Sequence, residues 1–212
     1  MAELHANNLQ EPLSTHADHF STNYCYGISS YVKGSAFLMQ LEYMVGKEAF
    51  WKGMKRYFNE WGFKHPTPND FIRVMEKTSG LELNWFMDLW VGTTQHIDYS
   101  IADLEKEKKG KTIVELKRVG PFPMPLDIKV TDKDGNTYWY YIPVGLMRGE
   151  KPADEGQESR IILPDWEWTN PTYSLELDIK KRKIESIVID PSSRLADLNN
   201  LNGIYPFPKE RK

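Results

Sequence analysis

A single cysteine, Cys25, stands among the 212 residues. That excludes an internal disulfide framework and every zinc pattern built from several cysteines. It leaves the compartment open, since exported proteins also do without disulfides. Long apolar runs are missing too. No stretch approaches the roughly 20 residues that span a bilayer, and the first residues are polar, without the apolar core of a signal peptide. Charge of one sign is also scarce: 27 basic and 30 acidic residues leave a net charge of −3. Nucleic-acid binding therefore lacks the concentrated positive charge that counterion release requires. No internal repeat and no low-complexity tract interrupts the chain.

Large apolar surface is present in quantity. Hydrophobic residues make up 40% of the chain and aromatic residues 13%, with 7 Trp, 11 Tyr and 9 Phe. This supplies a packed core and argues against wholesale disorder. The length accommodates one large domain or two small ones.

The first half repeats at helical spacing. Phe37, Leu38, Leu41 and Val45 share a face, and Gly46 follows where a C-terminal cap belongs. Phe50, Met54, Tyr57, Phe58 and Trp61 predict a one-sided stripe on a helix from Lys47 to Trp61. Thr67-Pro68-Asn69-Asp70 is a helix start: a capping hydroxyl, a proline suited to the first turn, and an acid that favours the dipole. Phe71, Val74 and Met75 continue that helix until Ser79-Gly80 stops it. Leu83 to Trp90 predicts a short further helix with Trp85, Phe86, Leu89 and Trp90 on its apolar side.

Beyond about Ile97 the period falls to two. Tyr99 to Leu104 and Thr112 to Lys117 predict a hairpin around Lys106-Glu107-Lys108-Lys109-Gly110-Lys111. Leu126, Ile128 and Val130 alternate with Asp127 and Lys129, and Asp132-Lys133-Asp134-Gly135 turns the chain into Asn136 to Ile142. Further strands are expected at Arg160 to Leu163, Ser174 to Ile179 and Ile184 to Ile189, with Lys151 to Ser159 a polar loop. The expected class is α+β, with helices in 1–95, an antiparallel β-sandwich in 96–191 and an irregular tail in 192–212.

Four segments in order carry a resemblance. Glu11-Pro12 with the following Ser-Thr-His-Ala-Asp-His-Phe leads into Tyr31-Val32-Lys33-Gly34. His65-Pro66-Thr67-Pro68-Asn69-Asp70-Phe71 comes next, then Ser79-Gly80-Leu81-Glu82-Leu83-Asn84-Trp85-Phe86. Together they resemble the aminopeptidase N family of zinc metallopeptidases, the gluzincins, in its bacterial form, from roughly residue 10 to residue 200. The resemblance implies the rear part of a thermolysin-like catalytic domain followed by a β-domain ending at Ile189-Asp190-Pro191. It also implies zinc in the parent protein and peptide substrates cut at the N-terminus. The zinc-binding His-Glu-x-x-His helix, the later glutamate ligand and the loop gripping the free amine would lie upstream. This chain contains neither zinc motif, so it is expected to bind no metal and to be inactive without the missing N-terminal part of the same protein.

The resemblance makes Tyr31 the catalytic tyrosine. A neutral phenol, with pKa near 10, keeps its proton at pH 7 and donates to the negative oxygen of a tetrahedral intermediate. Gly34 and Ser35, one turn along, are small and leave room for substrate beside the ring. On a continuous α-helix Tyr26 would sit about 140° from Tyr31, which suits a pocket wall better than a second donor.

Other polar groups have simpler readings. His16 and His19 flank Asp18 in a polar loop without an evident third metal ligand, and His65 precedes proline in a turn. Cys25 is expected to be buried and inert. Lys33 either meets a carboxylate or sits on the helix surface. Asp132 to Asn136 is a turn, lacking the ligand spacing of a calcium loop. Trp139, Trp166 and Trp168 leave a carbohydrate-binding module open, although the contiguous Tyr138-Trp139-Tyr140-Tyr141 must place alternate rings in the core. A non-catalytic scaffold with the same fold also remains open.

Overall fold

The helix boundaries in the first half follow local backbone chemistry. In a computed structural model, which describes residues 9–108 and 110–207 and only the backbone at 105–108, five α-helices occupy this region. They are α1 (Asn23–Gly27), α2 (Gly34–Val45), α3 (Lys47–Trp61), α4 (Pro68–Ser79) and α5 (Asn84–Gly92). A π-helical turn, Ile28–Lys33, joins α1 to α2. The start of α4 is held as its sequence predicts. Both the backbone N–H and the hydroxyl of Thr67 donate to Asp70 Oδ2, at 2.8 and 2.7 Å. Gly80 ends that helix in the left-handed region at φ 77°.

Gly46 separates α2 from α3 at φ 80°, a conformation costly for residues with a side chain. A Cβ there would also meet Pro152 Cγ at 2.4 Å. Gly53 plays a packing role, because a Cβ at that position of α3 would lie 2.4 Å from Met75 Sδ of α4. The buried line of α3 therefore runs through Phe50 and Gly53, with Tyr57 edge-on to Phe71 at 5.0 Å. Phe58, expected in that stripe, is 69% exposed. Relative to Phe50 it sits about 80° to one side of the helix, whereas Gly53 sits about 60° to the other. On α5, Phe86, Met87 and Trp90 are buried, while Trp85 and Leu89 remain partly open.

The helical unit takes in residues 1–95 and also Leu146–Asp154. Met147 O accepts the Glu82 N–H at 2.9 Å, and Lys151 Nζ lies 4.0 Å from the centre of the Tyr43 ring. Lys151 is only 1% exposed and also meets Asp154 at 3.1 Å. The expected polar loop is irregular there, but its first residue is buried.

The second unit, His96–Gly145 with 155–212, holds two sheets. Strands β1 (Tyr99–Lys108), β2 (Lys111–Arg118) and β6 (Thr172–Leu177) form one antiparallel sheet in the order β1-β2-β6. The other runs β5-β4-β3-β7-β8, from β3 (Leu126–Asp132), β4 (Thr137–Ile142), β5 (Ile161–Ile162), β7 (Ile184–Ile189) and β8 (Ile204–Tyr205). The class is α+β, with two departures from the expected strands. β5 pairs parallel to β4, so the larger sheet is mixed. The tail expected to be irregular contributes β8, whose Tyr205 and Ile204 pair with Ile187 and Val188. Lys109 of the hairpin turn, the polar residues 1–8 and the last residues, 208–212, lie outside the described residues.

Alternation holds for Leu126, Ile128 and Val130, all fully buried, but Asp127 on the opposite face is buried as well, at 2% exposure. It faces Arg160 at 3.7 Å, and that guanidinium stacks 4.1 Å from the centre of the Tyr141 ring. Asp132 serves its own turn. Its carboxylate accepts from the backbone of Asp134 and Asn136, from the Asn136 side chain and from the Tyr138 hydroxyl. The Asn136 side chain leads these in holding the carboxyl below its ordinary pKa.

Candidate active-site tyrosine segment

The helical run from Asn23 to Val45 changes winding where Tyr31 sits. Thr22 caps its start, its hydroxyl accepting the Cys25 N–H at 3.0 Å. The π turn then divides its residues sharply. Ile28, Ser29 and Lys33 are buried, whereas Ser30, Tyr31 and Val32 face outward. Tyr31 is 73% exposed, and its hydroxyl has no partner among the described residues. Single π turns recur at functional positions, where the wider winding re-aims a side chain.

The buried side of the turn is anchored to a strap at Glu11. Ser29 Oγ accepts the Glu11 N–H at 3.1 Å. Glu11 Oε1 accepts from the Ser21 hydroxyl at 2.6 Å and the Ser21 N–H at 3.0 Å, and the hydroxyl contributes most to holding this carboxyl below its ordinary pKa. Among the described residues Lys33 meets no carboxylate, and it does not lie on the surface. Its ammonium donates to Thr93 O at 2.6 Å and Glu11 O at 3.2 Å, with the residue 2% exposed. Burial pushes its pKa down to about 8.

That shift has a sign that can be tested. Below pH 8 lysine is charged in both folded and unfolded chains. Between about 8 and the ordinary value near 10.4 the unfolded chain binds more protons, so stability rises with pH. The slope approaches about 1.4 kcal/mol per pH unit. Urea unfolding of the wild type and Lys33→Met between pH 7.5 and 9.5 should show this rise in the wild type alone. Parallel curves would refute it.

The other site candidates fall around this segment in different ways. Tyr26 packs edge-on to Phe20 at 5.3 Å and is 39% exposed. The 140° separation expected from Tyr31 does not apply, because the intervening residues are wound as a π-helix. A Cβ on Gly34 would meet nothing within 4 Å, so packing in this chain does not demand glycine there. Ser35 is exposed and its hydroxyl donates to Val32 O at 2.9 Å.

Of the remaining groups, Cys25 is a buried free thiol. His16 caps a short 3₁₀ turn, Ala17–His19, that His19 ends; their ring centres are 5.5 Å apart, and Asp18 lies 3.6 Å from His16 Nδ1. Among the described residues, no group of three or more His, Cys, Asp or Glu could hold a metal ion. No helix among them is long and apolar enough to cross a membrane. The three sandwich tryptophans do not form an open platform. Trp166 is buried, its indole N–H donating to Asn170 O at 2.9 Å, and Trp139 is half-buried under Lys129, while Trp168 is exposed.

Residues 2–90 match the Peptidase family M1 domain. Aminopeptidase N of Streptomyces lividans is 38% identical over 64 residues, 30% of this chain and 8% of that protein. Glutamyl aminopeptidase of Bitis rhinoceros is 30% identical over 116 residues, 51% of this chain and 12% of that protein. Aminopeptidase N of Escherichia coli is 24% identical over 141 residues, 62% of this chain and 16% of that protein. The chain thus spans between 8% and 16% of the length of these relatives. Among solved structures, Legionella pneumophila aminopeptidase A in complex with aspartic acid shares the fold, with a TM-score of 0.58 at 13% identity, over 84% of this chain and 18% of that one. Through residues 2–90 the chain is therefore similar to the peptidase family M1 domain.

Proposed function

We propose that the chain is part of a zinc-dependent aminopeptidase that removes N-terminal residues from peptides, and that Tyr31 is its oxyanion donor. The observation that carries this reading is the state of the Tyr31 phenol. It projects outward, free of any partner among the described residues, from a π turn whose opposite side is anchored at Ser29 and Lys33. A donor held in this way needs no rearrangement to meet an oxygen on which negative charge develops. Tyr26, Gly34 and Ser35 are assigned to the walls of the same pocket, where the open space beside Gly34 favours a bound chain.

The described residues do not fit a zinc ion, since they offer no set of three ligands. In this reading the zinc ligands and the base belong to sequence outside this chain, which is inactive alone. The purified chain should hold well under one zinc per molecule by elemental analysis. One tightly held zinc per chain would sink the reading. Sequencing the gene upstream of the Met1 codon tests the other half, with a His-Glu-x-x-His segment and a later glutamate as the expected result. Unrelated sequence there would favour a scaffold that keeps the fold without the chemistry.

A further inference from the structure

The side chain of Lys33 and its own carbonyl are gripped separately. Its ammonium spans Glu11 O and Thr93 O, at 3.2 and 2.6 Å, and the Trp90 indole N–H donates to Lys33 O at 3.2 Å. Trp90 is itself buried. One residue therefore joins three stretches remote in sequence: the strap at Glu11, the π turn, and the segment leaving α5 at Thr93. Burying an amine costs free energy that an apolar side chain of similar length would not. Matched acceptors offset that cost, and two backbone carbonyls hold the nitrogen at a defined place.

The winding of the turn gives this anchor a use. A π turn holds one residue more than α-geometry would, and single π turns inside helices are rare and frequent at functional sites. Loss of the extra residue would rotate the turn by about 100° relative to α2, taking Tyr31 off its outward direction.

The geometry points to Lys33 as the positioning residue of Tyr31: its two-carbonyl clamp, with Trp90 on its own carbonyl, maintains the π winding that aims the phenol. This role rests on the reading of Tyr31 as the oxyanion donor, and experiment separates the two. Methionine fills the space without donating, and arginine restores donors. In the 212-residue chain, amide exchange followed by NMR should show Lys33→Met losing tenfold or more of the protection at residues 32–34. Residues 72–75 in α4 should keep theirs, and Lys33→Arg should regain part of the loss. In the complete peptidase, Lys33→Met should lower kcat tenfold or more with KM within twofold, again partly restored by arginine.

Unchanged protection at residues 32–34, or an equal loss in α4, overturns the clamp. Lost protection with unchanged kcat overturns the positioning role. Full turnover by Tyr31→Phe would remove the donor reading alone and leave the exchange result standing.

Discussion

Under the proposed function, Tyr31→Phe should lower the turnover of the complete protein by about 10²–10³-fold, the usual effect of removing one preorganised donor to an oxyanion. The substitution is unusually clean. It keeps the ring and removes a hydroxyl that has no partner among the described residues, at a position 73% exposed. Stability should therefore stay within about 0.5 kcal/mol of the wild type, as for exposed sites without special contacts. Zinc content should also be unchanged. A fall confined to kcat, with substrate affinity preserved, would identify an interaction made in the transition state. Turnover within threefold of the wild type would end the assignment.

The largest effect on folding is expected at Asp127→Ala. Asp127 and Arg160 have side chains 2% and 5% exposed, facing one another at 3.7 Å inside the sheet unit. Removing one member of such a pair leaves the other charge in a medium that solvates it poorly, at a cost of about 3–5 kcal/mol. Stacking of Arg160 on Tyr141 compensates only in part. The double variant Asp127→Leu/Arg160→Met, which removes both charges and keeps most of the volume, should be more stable than the single alanine variant. Urea denaturation compares the two. A loss below 1 kcal/mol in the single variant would mean that the guanidinium finds adequate solvation without its carboxylate.

Most of the helical architecture could be read from neighbouring residues, because its signals are local. The Thr67–Asp70 cap, the Gly80 stop and the Gly46 break each act within a few positions, and each is present as expected. The outward-facing Tyr31 is singled out only by the short motif around it, and its role stands as proposed. The features that escaped depend on distant partners. Lys33 looks like a surface lysine until Glu11 and Thr93, 22 and 60 residues away, present their carbonyls. Asp127 sits on the polar beat of an alternating strand, and its partner Arg160 begins a segment expected to be a separate strand. The exposure of Phe58 follows from the close approach of α3 and α4 at Gly53, which moves the buried face round the helix. The π winding of Ile28–Lys33 differs from an α-helix by one hydrogen-bond step and has no sequence signature of its own.

Residues 146–154 bear on how the gene can be dissected. A piece ending at Gln95 would carry all five α-helices yet leave behind the Met147 carbonyl that receives the Glu82 N–H and the ammonium that covers Tyr43. It would also lose the Gly149 backbone packed against Leu81 and the proline seated at Gly46. Such a piece would expose ring and aliphatic surface for reasons unrelated to the sheets. The helical unit is discontinuous in the gene, so its minimal form needs residue 95 bridged by a linker to 146. Serial deletion from the C-terminus would assign residues 146–154 to the wrong half of the protein.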